Sequence, residues 1–239
     1  STIQNILNKH GINPAPQRRK SLSWSEFLRV HRDVLVGTDF FTWEVWTPLG
    51  LVTHYVLFFI RVATREIHIA GITTNPGTDF MKQVARNLTM PDWGWLAQPV
   101  RQSRSVDRTR AGESHTDESK KDFIVLHDRA GQYCPAFREI LHSEGIRTLM
   151  LPYQSPNLNA YAERWVRSVK DECLSRMIVV GEPMLRDALK EYVEHYHRER
   201  NHQGLEGAIP FPGPELARAG PKEGQIFQRQ RLGGLPNYY

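Results

Sequence analysis

The spacing of apolar residues changes period several times along the chain, and each change predicts an element. "TIQNILNKH" (2–10) sets Ile3, Ile6 and Leu7 on one helical face, and "GINPAP" stops that helix through Gly and Pro. From Val34 the grammar is that of strands. "VLVGTDFF" and "TWEVWTP" read as strands, and "LVTHYVLFFIRV" reads as a longer one rich in β-branched and aromatic residues. "REIHIAGI" follows a short turn, so these segments predict an antiparallel meander. "GTDFMKQVARNL" returns to helical period, with Phe80, Val84 and Leu88 on one line and Met81 and Ala85 beside it. "DFIVLHD" reads as a short buried strand, "PAFREILHSEG" as a helix with Pro in its first turn, and "IRTLMLP" as another strand. In "NLNAYAERWVRSVKDECL", Ala162, Val166, Val169 and Cys173 recur at steps of four, three and four. In "EPMLRDALKEYVEHYH", Leu185, Leu189 and Tyr192 or Val193 form a second stripe. The order is three or four strands, helix, strand, helix, strand, helix, helix. It predicts an α/β fold, a mixed sheet with helices on both sides.

Composition narrows the classes. A chain of 239 residues with 40% hydrophobic content can build one substantial core. A formal charge of +5 and a pI near 9.3 favour a polyanionic partner. Cys134 and Cys173 supply neither a disulfide framework nor zinc spacing, which fits a reducing, cytoplasmic setting. The longest apolar run, "LVTHYVLFFIRVA", is interrupted by His54 and Arg61 and is too short to span a bilayer, so no membrane partner is expected. No signal peptide is visible, and a chain opening on Ser1 is expected to be a piece of a longer one. "RQSRSVDRTRAGESHTDESKK" (101–121) has almost no apolar content and reads as a mobile loop. In "QRRKSLSWSEF" the run Arg18, Arg19, Lys20 is either a solvated linker or a phosphate-contacting arm.

The chemistry gathers around carboxylates. Glu163, Arg167 and Lys170 recur along a face next to the apolar stripe, and taken alone they read equally as a solvated salt-bridge ladder. Asp39 lies within the first strand and Asp128 at the end of "DFIVLHD". A carboxylate in or at the end of an apolar strand is costly unless paired, protonated or metal-bound. Two strand acids and one helix acid that converge can hold two divalent ions, Mg²⁺ or Mn²⁺, for phosphodiester transfer. Lys170 and Arg167 are placed to meet phosphates of a DNA end. Asn159, one turn before Glu163, either orders that site or a nucleotide, or makes a helix N-cap. His127 is expected on the face opposite Asp128, and His195, His197 and His202 are expected to cap or pack rather than bind zinc.

Several of these segments resemble the integrase catalytic core of bacterial insertion-sequence transposases, the DDE enzymes related to retroviral integrases. "HDRAGQY" looks like the segment around the family's second acid, and "SPNLNAYAERWVRSVK" like the helix carrying its glutamate. "YHRERNHQGL" looks like its closing segment, and "VGTDFF" is similar to its first strand. The resemblance covers roughly residues 30–207. It implies a ribonuclease-H-like fold with a five-stranded mixed sheet, and Asp39, Asp128 and Glu163 as catalytic metal ligands for two Mg²⁺ or Mn²⁺ ions. It also implies DNA partners (element ends and target) and a homo-oligomer on DNA. The expected layout is 1–28, remnant of a helix-turn-helix module with its basic linker; 29–207, catalytic core; 208–239, irregular tail. The expected activity is end cleavage and strand transfer of a mobile element. The alternatives are a metal-dependent nuclease of the same fold and a non-catalytic DNA-binding protein derived from a transposase.

Overall fold

The computed structural model describes residues 9, 24–98, 123–152, 159–213, 229–234 and 237–238. The predicted first helix (Lys9 apart), the basic run Arg18, Arg19 and Lys20, and the stretch 101–121 lie outside the described residues. The chain divides into two compact units, Ser1–Arg32 and Asp33–Tyr239. In the first, helix α1 (Trp24–His31) occupies the end of the stretch read as linker, and the Phe27 and His31 rings lie 4.5 Å apart one turn from each other along it.

The second unit has a main sheet of five strands, β1 (Leu35–Thr47), β2 (Gly50–Arg61), β3 (Ile67–Thr73), β4 (Ile124–His127) and β5 (Arg147–Met150). Its helices are α2 (Thr78–Thr89), α3 (Pro135–Ser143), α4 (Ala160–Glu172) and α5 (Gly181–Arg198). The two strands expected from "VLVGTDFF" and "TWEVWTP" are one continuous β1. No Gly or Pro separates them, and every residue from Val36 to Thr47 has a partner on β2. The turn falls later, where Gly50 takes a φ of 107° that favours glycine.

The sheet order is β3-β2-β1-β4-β5, with β1 to β3 antiparallel and β4 and β5 parallel to β1. This is the five-stranded mixed sheet of the ribonuclease-H-like fold. Helices cover both faces. On one face Phe41, Val45, Val56, Phe58 and Ile60 pack against Trp165 and Val169 of α4 and Leu185, Leu189 and Tyr192 of α5. On the other, Val36, Leu57, Phe59 and Val125 pack against Met81, Val84 and Leu88 of α2 and Phe137 and Leu141 of α3. Trp165 is fully buried, its ring 4.3 Å from Phe58 and 5.8 Å from Phe41, and it anchors α4 to the sheet.

Within 208–239, read from sequence as irregular, strands β6 (Arg229–Gln230) and β7 (Asn237–Tyr238) pair as a short ribbon. Arg231 beside it reaches Glu199 (2.8 Å) and Glu191 (2.7 Å).

Candidate active site at the ends of β1 and β4

Side chains alternate along a strand. On β1, Val36 and Phe40 belong to the α2/α3 face and Phe41 and Val45 to the α4/α5 face, so Asp39 points toward α4 and α5. The β1–β4 register runs Leu35↔Ile124, Val36↔Val125, Gly37↔Leu126. Continued two residues, it sets Asp128 opposite Asp39 on that same face. Parallel neighbours lie roughly 4.8 Å apart, so two carboxylates share one end of the sheet. Asp128 is exposed one residue past β4, and its Oδ1 accepts the Ala130 N–H at 2.9 Å. Asp39 is half-buried, and its Oδ1 accepts the Phe40 N–H at 2.7 Å.

Glu163 projects from the exposed first turn of α4, whose Ala162, Trp165 and Val169 face the core. Burial, opposed by the Phe40 N–H and aided by the charges of Asp128 and Glu163, pushes the Asp39 carboxyl up to about 6. Among the described residues no three His, Cys, Asp or Glu side chains are gathered tightly enough to hold a metal ion. The donor chemistry nevertheless fits a hard divalent ion: carboxylate oxygens only, and a half-buried acid whose ionisation the other two oppose.

The ladder reading of α4 does not describe the contacts. Among the described residues Glu163 forms no ion pair with Arg167 or Lys170. Arg167 is exposed, and the Lys170 ammonium lies 5.7 Å from the Phe41 ring centroid. Lys170 also lines a cleft of about 590 Å³ with Thr42, Trp43, Trp46 and Met177.

Asn159, expected to order the site or a nucleotide or to cap its own helix, crosses to β1. It is 8% exposed, and its Nδ2 donates to the Thr38 carbonyl at 3.1 Å. It makes no side-chain capping bond to α4. Its Oδ1 stands 2.8 Å from where a Cβ on Gly37 would lie, so only glycine fits there without a shift. This contact escaped sequence reasoning, because neither partner is unusual alone and 121 residues separate Thr38 from Asn159.

His127 is 1% exposed, with its ring 4.7 Å from Tyr133 on the α2/α3 side, opposite Asp128. His197 Nε2 accepts the Ile67 N–H (2.8 Å), His202 Nε2 bonds the Tyr196 carbonyl (2.8 Å), and His195 Nδ1 pairs with Glu199 (3.0 Å). All three pack rather than present a metal site.

Residues 144–210, which hold β5, α4 and α5, match the family model of the integrase core domain. Over those residues the chain is similar to the integrase core domain. Similar solved structures include the catalytic core domain of BIV integrase, at 12% identity and a TM-score of 0.46, covering 74% of this chain and 91% of that one. Another is the simian T-cell lymphotropic virus intasome in complex with the PP2A regulatory subunit B56 gamma, at 11% identity and a TM-score of 0.48, covering 95% and 70%. No curated protein matches the chain. No helix among the described residues is long and apolar enough to cross a membrane.

Proposed function

We propose that the chain is a DDE-type transposase that cuts the ends of a mobile DNA element and joins them to target DNA. Asp39, Asp128 and Glu163 are its catalytic carboxylates and hold two divalent ions, Mg²⁺ or Mn²⁺. The observation that carries this reading is the half-buried Asp39, raised to about 6 by burial and by the charges of Asp128 and Glu163. Such mutual repulsion at strand ends is what bound divalent cations relieve.

When bound, the ions supply charge neutralisation at the attacking and leaving oxygens. The chain's own residues orient the rest. In the first step a water oxygen attacks the phosphorus at the element end, the bond from phosphorus to the 3′ oxygen breaks, and that oxygen leaves as a free 3′-hydroxyl. In the second, the 3′-hydroxyl oxygen attacks a target phosphorus, and the target's own 3′ oxygen departs. No covalent bond to the protein is needed. Lys170 and Arg167, beyond Glu163 on α4, contact the phosphates of the element end, and Arg18, Arg19 and Lys20 also contact DNA. An oligomer on DNA brings two ends together, in the cytoplasm of a bacterial host where the nucleoid is the target.

The test is a strand-transfer assay with Mg²⁺, labelled candidate element ends and a target plasmid. Labelled ends joined to plasmid are expected. Cutting without joining would replace the transposase by a nuclease of the same fold. DNA binding with neither cutting nor joining would leave a binding protein derived from a transposase.

A further inference from the structure

We propose that Asn159 is a positioning residue for the carboxylate site: its bond to the Thr38 carbonyl fixes the Glu163 turn of α4 against the strand that carries Asp39. The inference rests on the metal-binding reading of Asp39, Asp128 and Glu163 and assigns a device that holds them.

Asn159 stands at the N-terminal boundary of α4, where an Asn side chain ordinarily accepts a backbone N–H of its own helix. Here it makes no such bond. It crosses to β1 and donates to the carbonyl of the residue just before Asp39, at 3.1 Å in a buried setting. Glu163 is four residues on, one helical turn, and so shares the face of α4 on which Asn159 begins it. The strand side matches. Gly37 leaves the space that the Asn159 Oδ1 needs, and a Cβ there would meet that oxygen at 2.8 Å and Ile60 Cγ2 at 3.2 Å. A buried hydrogen bond between neutral groups is well suited to this position. An amide-to-carbonyl bond is indifferent to whether the neighbouring carboxylates are ionised or neutralised. Trp165 secures the middle of α4, and Asn159 secures its first turn.

The experiment measures Mn²⁺ binding to the full chain without DNA, by the electron paramagnetic resonance signal of free Mn²⁺, with thermal unfolding in chelator as a check on folding. Asn159→Ala is expected to remain folded and to bind Mn²⁺ about tenfold or more weakly, the scale on which residues that orient metal ligands act. Gly37→Ala, which attacks the same contact from the strand, is expected to weaken Mn²⁺ binding as well. Gly37→Ala/Asn159→Ala is expected to bind no more weakly than Asn159→Ala, because the truncated side chain no longer meets the added Cβ. A folded Asn159→Ala with wild-type Mn²⁺ affinity overturns the proposal. If Asn159→Ala does not fold, Gly37→Ala decides alone, and unchanged affinity there overturns it. A wild-type chain that binds no Mn²⁺ overturns the metal-binding reading and this inference with it, an outcome distinct from wild-type binding that Asn159→Ala leaves intact.

Discussion

The two faces of the central sheet use the same strands for opposite ends. At the tips of β1 and β4, the α2/α3 face holds Thr38 and His127, both buried; the Thr38 hydroxyl donates to the Phe58 carbonyl at 2.8 Å. Burial there pushes the His127 imidazole down, toward its neutral form. One residue further along each strand, the α4/α5 face holds the half-buried Asp39 and the exposed Asp128, and burial together with the neighbouring charge pushes the Asp39 carboxyl up. A two-residue period lets one strand pair end in a closed, neutral contact on one side and a charged one on the other. The lesson is that the apolar floor and the carboxylates are separable in energy: the floor stabilises the fold, and ionisation of the half-buried Asp39 beside Asp128 and Glu163 opposes it.

The sharpest way to break that comparison is Glu163→Gln, which keeps side-chain shape and removes charge. Cutting and joining are expected to fall below detection, while metal-free DNA affinity stays within about twofold, since Glu163 makes no phosphate contact. Normal joining by this variant would return α4 to a surface helix.

Next in size is Trp165→Ala, which removes the floor beneath the carboxylates. Loss of a fully buried indole is expected to cost about 3–5 kcal/mol in denaturant unfolding. A loss below about 1 kcal/mol would show that α4 is not anchored there.

Asp39→Asn tests the opposition directly. The folded carboxyl sits at about 6 against an ordinary 3.8, so folding favours its protonated form. That contribution is complete below pH 3.8 and is lost as pH rises through 6, leaving the ionised group a net cost at neutral pH. In chelator at pH 8, Asp39→Asn is therefore expected to be more stable than wild type by on the order of 2 kcal/mol, with the gap closing toward pH 4. Saturating Mg²⁺ should stabilise wild type more than the variant. Equal stability at pH 8 would mean that burial and the neighbouring charges do not oppose ionisation of Asp39 as described.

The smallest effect belongs to Lys170→Ala. Binding to DNA ends should weaken at low salt, and the logarithmic salt slope should fall by about one unit, the signature of one lost phosphate contact. An unchanged slope would confine Lys170 to its cleft beside Phe41.

Much of this face was legible in the sequence. The stripe of Ala162, Val166, Val169 and Cys173 marks the inward side of α4, and strand alternation separates His127 from Asp128. Trp165 lay off that stripe, yet its ring is large enough to bridge to Phe58, so the buried arc is wider than the four-residue line. That "VLVGTDFF" and "TWEVWTP" form a single β1 shows only in the pairing, where Thr42 at their junction meets Tyr55 on β2. The Asn159–Thr38 bond and its Gly37 notch depend on tertiary closure, which no local pattern encodes. The antiparallel meander of β1, β2 and β3, by contrast, follows from their close spacing, whereas the return of β4 to pair with β1 rather than β3 does not.

One feature remote from the carboxylates bears on how the chain comes apart. Arg231 is fastened to Glu199 through both its Nε and Nη2 atoms and to Glu191 through Nη1. Burial pushes the Glu199 carboxyl up, yet the bonds from Arg231 and His195 prevail and hold it below its usual value. A depressed acid contributes above its unfolded value and loses that contribution as pH falls through the folded one. Arg231 is therefore buckled to α5 by charge, with Leu232 packed beside it on the apolar core, whereas the sheet is held by apolar burial. Brief acidification should loosen the buckle while the sheet still stands.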